Sequence, residues 1–221
     1  MEIRKFRSVY NLELIPASHE GISLGDLVWD PLFGAPEFSR KGMPNTIFTA
    51  FLDAGLLNQD GWNNLSEANH NSPLMRAQLA SQTVNVNVEF IHELHYPKIG
   101  KITGEFRSEK LSKFTFGDIH VREMGDLTRI EIDRVLELMK ATRWKEYDGS
   151  IRRVYMITEL YYGTIRMVIE KQYSAELEAV LERSELQTMN KSEGNHSVQY
   201  EFSHDNVPFA MRLERVRTFN G

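Results

Sequence analysis

The chain has 221 residues, enough for one large domain or two small ones with a sizeable core, and its 41% hydrophobic and 26% charged residues are ordinary for a globular protein. With 26 Lys and Arg against 31 Asp and Glu, a net charge of −5, it lacks the basic surplus of a nucleic-acid binder, so no nucleic-acid partner is expected. The absence of cysteine excludes disulfides, thiolate metal sites, cysteine nucleophiles and S-acylation together.

No window approaches the ~18 consecutive apolar residues of a spanning helix. The N-terminal MEIRKFRSVY carries charges where a signal peptide needs its apolar stretch, so a cytoplasmic start is expected. There Arg4, Lys5 and Arg7 interleave with Ile3 and Phe6 and could touch anionic lipid, each basic group contributing about 1 kcal/mol near such a surface; a solvated basic end is the plainer reading. Asn11–Ile15 reads as a short strand stopped by Pro16. From Gly21 to Pro44 glycines and prolines recur, so little regular structure is expected around Leu27, Trp29, Leu32 and Phe33. Asn45 or Thr46 can cap a helix through Leu57, with Ile47, Phe48, Phe51 and Leu52 as its apolar stripe and Gly55 near its end. The Asn-rich, polar stretch Asn58–Ser72 reads as an exposed loop.

Thr83–Val121 then reads as an amphipathic β-hairpin. Its first strand puts Val84, Val86, Val88 and Phe90 on one face and Thr83, Asn85, Asn87 and Glu89 on the other. Ile130–Trp144 carries Val135, Leu138, Met139 and Thr142 at helical spacing, with Asp133 as its cap. Arg152–Tyr173 is rich in β-branched and aromatic residues and is interrupted at Gly163, which predicts a second hairpin turning there. Ser174–Leu186 returns to helical spacing through Leu177, Val180 and Leu181, capped by Ser174, with Glu176 and Glu178 suiting the helix dipole. Lys191–Asn195 reads as a turn. Ser197–Phe202 and Val207–Val216 read as a closing strand pair or one broken strand, confined by Pro208 to an edge or bulge. The pattern predicts an α+β fold, a twisted and mostly antiparallel sheet with several short helices, in a single domain spanning 1–221.

The order of these pieces is informative. From Lys110 a strand (KLSKFTFGDIHV), a helix (RIEIDRVLELMK), a long strand pair (VYMITELYYGTIRMVIE), a short acidic helix and a closing segment (HSVQYEFSHDNVPFAMRLERVR) resemble the pore-forming domain of bacterial gasdermin-like proteins. Tyr200-Glu201, a polar gap, Val207-Pro208-Phe209-Ala210 and the apolar-basic tail to Val216 look like that family's last strand, and an N-terminal Tyr-x-Leu-x-x-Ile-Pro strand, Tyr10–Pro16, agrees. The resemblance implies a cytoplasmic monomer, not an enzyme and without a cofactor, whose two extendable hairpins insert at the inner face of the cell membrane. Many copies then share one β-barrel. Its implied partners are membrane lipids, further copies of the chain, and an activating protease or inhibitory segment.

Closure into a ring is obligatory in that mechanism, because unpaired backbone groups cost several kcal/mol each in hydrocarbon. The residues expected to face lipid are Val84, Val86, Val88 and Phe90 in the first hairpin. In the second they are Val154, Met156 and Leu160, then Ile165, Met167 and Ile169 on its return, while Arg4, Lys5 and Arg7 dock. Three features depart from the family. The lipidated N-terminal Cys of many members has no counterpart. The first hairpin carries His92, Glu93, His95, Lys98, Lys101, Glu105 and Arg107, which must lie in the lumen or outside the bilayer. Only Arg217–Gly221 follow Val216, so the inhibitory C-terminal segment is expected to have been removed or replaced by another control.

Two other readings stand beside it. One is a cytosolic interaction or scaffold protein of the same α+β fold, with fixed, buried hairpins. The other is a metal-dependent enzyme centred on His92, Glu93 and His95, although on a strand the two His project to opposite faces and only a turn at Tyr96-Pro97 would converge them. Asp126, Glu131 and Asp133 read as helix-dipole partners rather than catalytic carboxylates. No phosphate loop and no Gly-x-Ser-x-Gly elbow occurs. Trp29, Trp62 and Trp144 read as packing anchors.

Overall fold

The computed structural model describes residues 9–15, 22–29, 37–38, 45–70, 73–77, 84–86, 110–151, 154–184, 188–202 and 208–219. Its strands are β1 (Glu13–Leu14), β2 (Leu27–Trp29), β3 (Glu37–Phe38), β4 (Leu74–Arg76), β5 (Val84–Val86), β6 (Leu111–Glu123), β7 (Val154–Glu170), β8 (Asn190–Glu193), β9 (Ser197–Phe202) and β10 (Ala210–Arg215). Its helices are α1 (Ile47–Asp53), α2 (Gln59–His70), α3 (Asp126–Ile151) and α4 (Ser174–Ser184). The fold is α+β with antiparallel pairing, as the sequence predicts. The chain divides into two compact units, one from Met1–Glu20, Met75–Val121 and Tyr161–Met211, the other from Gly21–Leu74, Arg122–Leu160 and Arg212–Gly221.

In the first unit β5 pairs with β6, Val84 opposite Phe116 and Val86 opposite Phe114, so the arms of the predicted first hairpin do meet. The second half of β7 pairs with β9 from Ile165–Phe202 to Glu170–Ser197, and β9 pairs on with β8. Leu14 of β1 lies opposite Ala210 of β10. One apolar cluster gathers Phe114, Phe116, Ile119 and Val121 of β6, Ile165, Met167 and Ile169 of β7, Val198, Tyr200 and Phe202 of β9, and Leu177, Val180 and Leu181 of α4. Phe116 stacks on Phe209 with centroids 4.1 Å apart and meets Phe114 edge-on at 5.4 Å.

In the second unit β2 pairs with β3 and with the first half of β7, Leu27 opposite Met156 and Trp29 opposite Val154. Regular structure therefore occurs in a stretch the glycines and prolines suggested would lack it. Helix α1 is capped as expected, the Thr49 amide donating to the Thr46 hydroxyl at 3.1 Å. The polar stretch after it is not a loop. It forms α2, because the Asn58 side chain accepts from the Gly61 amide at 2.8 Å as an N-cap would, and Gln59 donates to Asn63 one turn on. Helix α3 is longer than its apolar stripe suggested. Asp133 therefore lies inside it rather than capping it, and Leu138 is 42% exposed while Thr128, Ile132, Val135, Leu136 and Met139 are buried. Arg129 holds Glu214 at 2.9 Å and lies over the Phe219 ring.

Four further expectations change. Lys191–Glu193 belong to strand β8, not a turn, and among the described residues β9 and β10 do not pair with each other. Ser174 sits in helical geometry and its hydroxyl donates back to the Lys171 carbonyl, so it does not cap α4. The largest correction is at Gly163. β7 runs unbroken through it for 17 residues, and there is no turn.

Gly163 instead marks a change of phase. Before it the even residues Val154, Met156, Thr158 and Leu160 are buried, together with Ile157; after it the odd residues Ile165, Met167 and Ile169 are, with Tyr161, Tyr162 and Gly163 all buried between. β6 does the same, from Phe114 and Phe116 to Ile119 and Val121, across Gly117 and Asp118, the latter at φ 48. An extra residue flips every later side chain to the other face, as a bulge does. The two sites touch, since a Cβ on Gly163 would lie 3.0 Å from the Gly117 carbonyl oxygen and 3.4 Å from Phe209. A Gly163→Val chain is expected to lose about 1–3 kcal/mol to overpacking against backbone that cannot move aside. Urea denaturation would measure it, and an unchanged midpoint would show that the close approach is not tight.

Candidate functional site

The site is the β7–β9 strand pair with the segment 171–196 that connects its arms. Alternation divides the pair into two faces. Ile165, Met167, Ile169, Val198, Tyr200 and Phe202 point into the core, each at most 1% exposed, while Arg166, Val168, Gln199 and Glu201 face outward. Helix α4 covers the apolar face with Leu177, Val180 and Leu181, and Tyr173 and Tyr10 pack beside them. The outer face is a shallow groove of about 300 Å³ lined by Lys113, Thr115, Arg166, Val168, Gln199 and Glu201. Arg166 lies opposite Glu201 and pairs with it at 2.5 Å, and its guanidinium crosses Gly117, where a Cβ would meet it at 2.5 Å.

The connection is tied together by charge. Lys191 on β8 reaches Glu178 on α4 and Glu193 on its own strand, both at 2.8 Å, and Lys171 reaches Glu193 at 3.4 Å. The Tyr200 hydroxyl donates to Glu178 at 3.0 Å. At the other side of α4, Lys110 holds both oxygens of Glu176 at 2.6 Å and lies over the Tyr173 ring. Hydrogen bonds from Lys191 and then Tyr200 hold the Glu178 carboxyl below its ordinary range, and those from Lys191 and Lys171 do the same for Glu193. Lys191 is raised by the same two carboxylates. Burial, with the neighbouring Glu178 carboxylate second, pushes the Tyr200 phenol up to about 12.

Among the residues expected to enter lipid, Val154, Met156, Leu160, Ile165, Met167 and Ile169 are buried in this structure. Val84 and Val86 lie in β5, and Val88, Phe90, Arg4, Lys5 and Arg7 lie outside the described residues, as do His92, Glu93 and His95. The described residues contain no group of three or more His, Asp or Glu able to hold a metal ion. No described helix is long and apolar enough to cross a membrane, which says nothing of strands. The sequence reading missed the Lys191 network, taking Glu176 and Glu178 as dipole partners only. It also missed a signal running through α4: Tyr173, Ala175, Leu177, Ala179 and Leu181 alternate with Ser174, Glu176, Glu178 and Glu182, broken only at Val180, a strand pattern under a helical one. No protein-family model and no curated protein matches the chain.

The two lowered carboxyls give a signed pH prediction. Glu178 and Glu193 bind protons less readily folded than unfolded, so their stabilisation is fully present above the ordinary carboxylate range near ~4.3 and is lost as pH falls through their lowered values. Melting temperatures taken down a pH series are expected to drop across that acid window, less steeply in Glu178→Gln. An identical acid limb in the variant would show that other carboxylates govern it.

Proposed function

We propose that this chain forms pores in lipid bilayers by the gasdermin-like route, with β7 and β9, not two halves of β7, as the arms of its second hairpin. The observation that carries this reading is the alternation that continues from β7 through α4. From Ile165 to Leu181 every odd position except Lys171 is apolar or alanine, and every even one except Val168 and Val180 is polar or charged. Thr164–Glu182 is roughly twice the ~9–11 residues that cross a bilayer as a strand. If the β7–β9 register is prolonged, Tyr173 falls opposite Gly194, Leu177 opposite Asn190 and Leu181 opposite Leu186, and apart from Lys171 and His196 at its base that face carries no charge. Glu176, Glu178 and Lys191 fall on the other face, which would line water. The antiparallel β5–β6 arms supply the first hairpin by the same logic. Copies must join edge to edge, since lipid cannot satisfy an open strand edge. The reading requires no cofactor.

Ala175 and Ala179 separate this mechanism from a scaffold of the same fold. Both are exposed on α4, yet both belong to the face that would meet lipid. Ala175→Arg and Ala179→Arg are expected to melt like the parent, because arginine is a good helix former on an exposed position. They are also expected to abolish dye release from vesicles, each charge costing roughly 2–4 kcal/mol per copy near the bilayer midplane. Undiminished release from both variants would remove α4 from the inserting segment. Neutralising Arg4, Lys5 and Arg7 together is expected to weaken vesicle binding at low salt, an effect that shrinks as screening shortens to about 10 Å at 0.1 M. A salt-independent difference, or none, would place docking elsewhere.

A further inference from the structure

We infer that Lys191 is the keystone of a charge latch that keeps α4 and β8 folded against the β7–β9 pair, so that removing its positive charge releases the segment; as regulation of an inserting hairpin this rests on the proposed function, but the latch itself is a property of the protein in solution. The network Glu178–Lys191–Glu193–Lys171 lies wholly within the 171–196 connection, the part of the chain that must unfold before the arms can lengthen. Its geometry is asymmetric. Lys191 stands between two carboxylates at 2.8 Å each, whereas Glu193 has Lys171 as a second, longer partner and Glu178 has the Tyr200 hydroxyl.

That asymmetry makes Lys191 different from its neighbours. Loss of either Glu leaves Lys191 with one partner. Loss of the Lys191 charge leaves Glu178 and Glu193 as like charges near each other, with Tyr200 answering only Glu178 and Lys171 only Glu193, at the longer 3.4 Å. An attractive contact between α4 and β8 is thereby turned into a repulsive one. Exposed ion pairs are individually weak, and a three-body arrangement whose centre is removed is the case in which they count together.

The test is native hydrogen exchange of the full chain in solution, comparing Lys191→Gln, Lys191→Arg and the parent, followed by dye release from vesicles of phosphatidylglycerol and phosphatidylcholine. Lys191→Gln is expected to speed exchange of the α4 amides by about threefold to tenfold, with α3 amides unchanged and with faster dye release. Lys191→Arg is expected to behave as the parent. Exchange in α4 equal to that of the parent would overturn the latch, and so would equal acceleration in α3, which would mean a general loss of stability. Faster α4 exchange without dye release from any chain, parent included, would keep the latch and remove the pore-forming reading.

Discussion

The apolar face of the β7–β9 pair has to be covered, and most of the first unit follows from that need. Ile165, Met167, Ile169, Val198, Tyr200 and Phe202 form a row of buried side chains on neighbouring strands. Water on that row would cost about 1.5–3 kcal/mol for each large aliphatic group. Phe114, Phe116, Ile119 and Val121 of β6, Leu12 and Phe209 share in packing it, and α4 contributes Leu177, Val180 and Leu181. Polar contacts at the margins of α4 add to that footing, Glu176 with Lys110 and Glu178 with Lys191 and Tyr200.

Helix and strand compete for the same residues there. Leu177, Val180 and Leu181 satisfy the 3.6-residue period, and Tyr173, Ala175, Leu177, Ala179 and Leu181 satisfy the two-residue period. The helix is selected in this structure because it satisfies its own backbone hydrogen bonds at once, and because its short alanines leave nothing apolar stranded on the solvent side. A strand needs a partner arm with matching faces. β9 offers one only as far as Ser197, where β8 folds back across its other edge.

How much of this was legible in the sequence depended on whether one period dominated locally. The Ser197–Phe202 alternation and the Ile47, Phe48 and Phe51 stripe each had a single reading and formed as expected, with Thr46 rather than Asn45 as the cap. Asn58 was read as part of an exposed loop, and the run of polar residues after it hid a helix with few apolar residues, Trp62 and Leu65 among them. Gly163 misled because a glycine in a strand signals either a turn or a close approach, and only the position of the Gly117 carbonyl separates the two. The Lys191 network joins residues on three elements, and no spacing rule announces such a meeting.

The compactness of α4 has a consequence of reach. As a helix its 11 residues extend about 16 Å, at 1.5 Å per residue. Drawn out as a strand at about 3.3 Å per residue, the same residues would extend roughly 36 Å, somewhat more than the ~30 Å hydrocarbon thickness of a bilayer. Wound as a helix, the segment therefore holds slightly more than that thickness of strand in less than half the length, directly after the short 3-10 turn that follows β7.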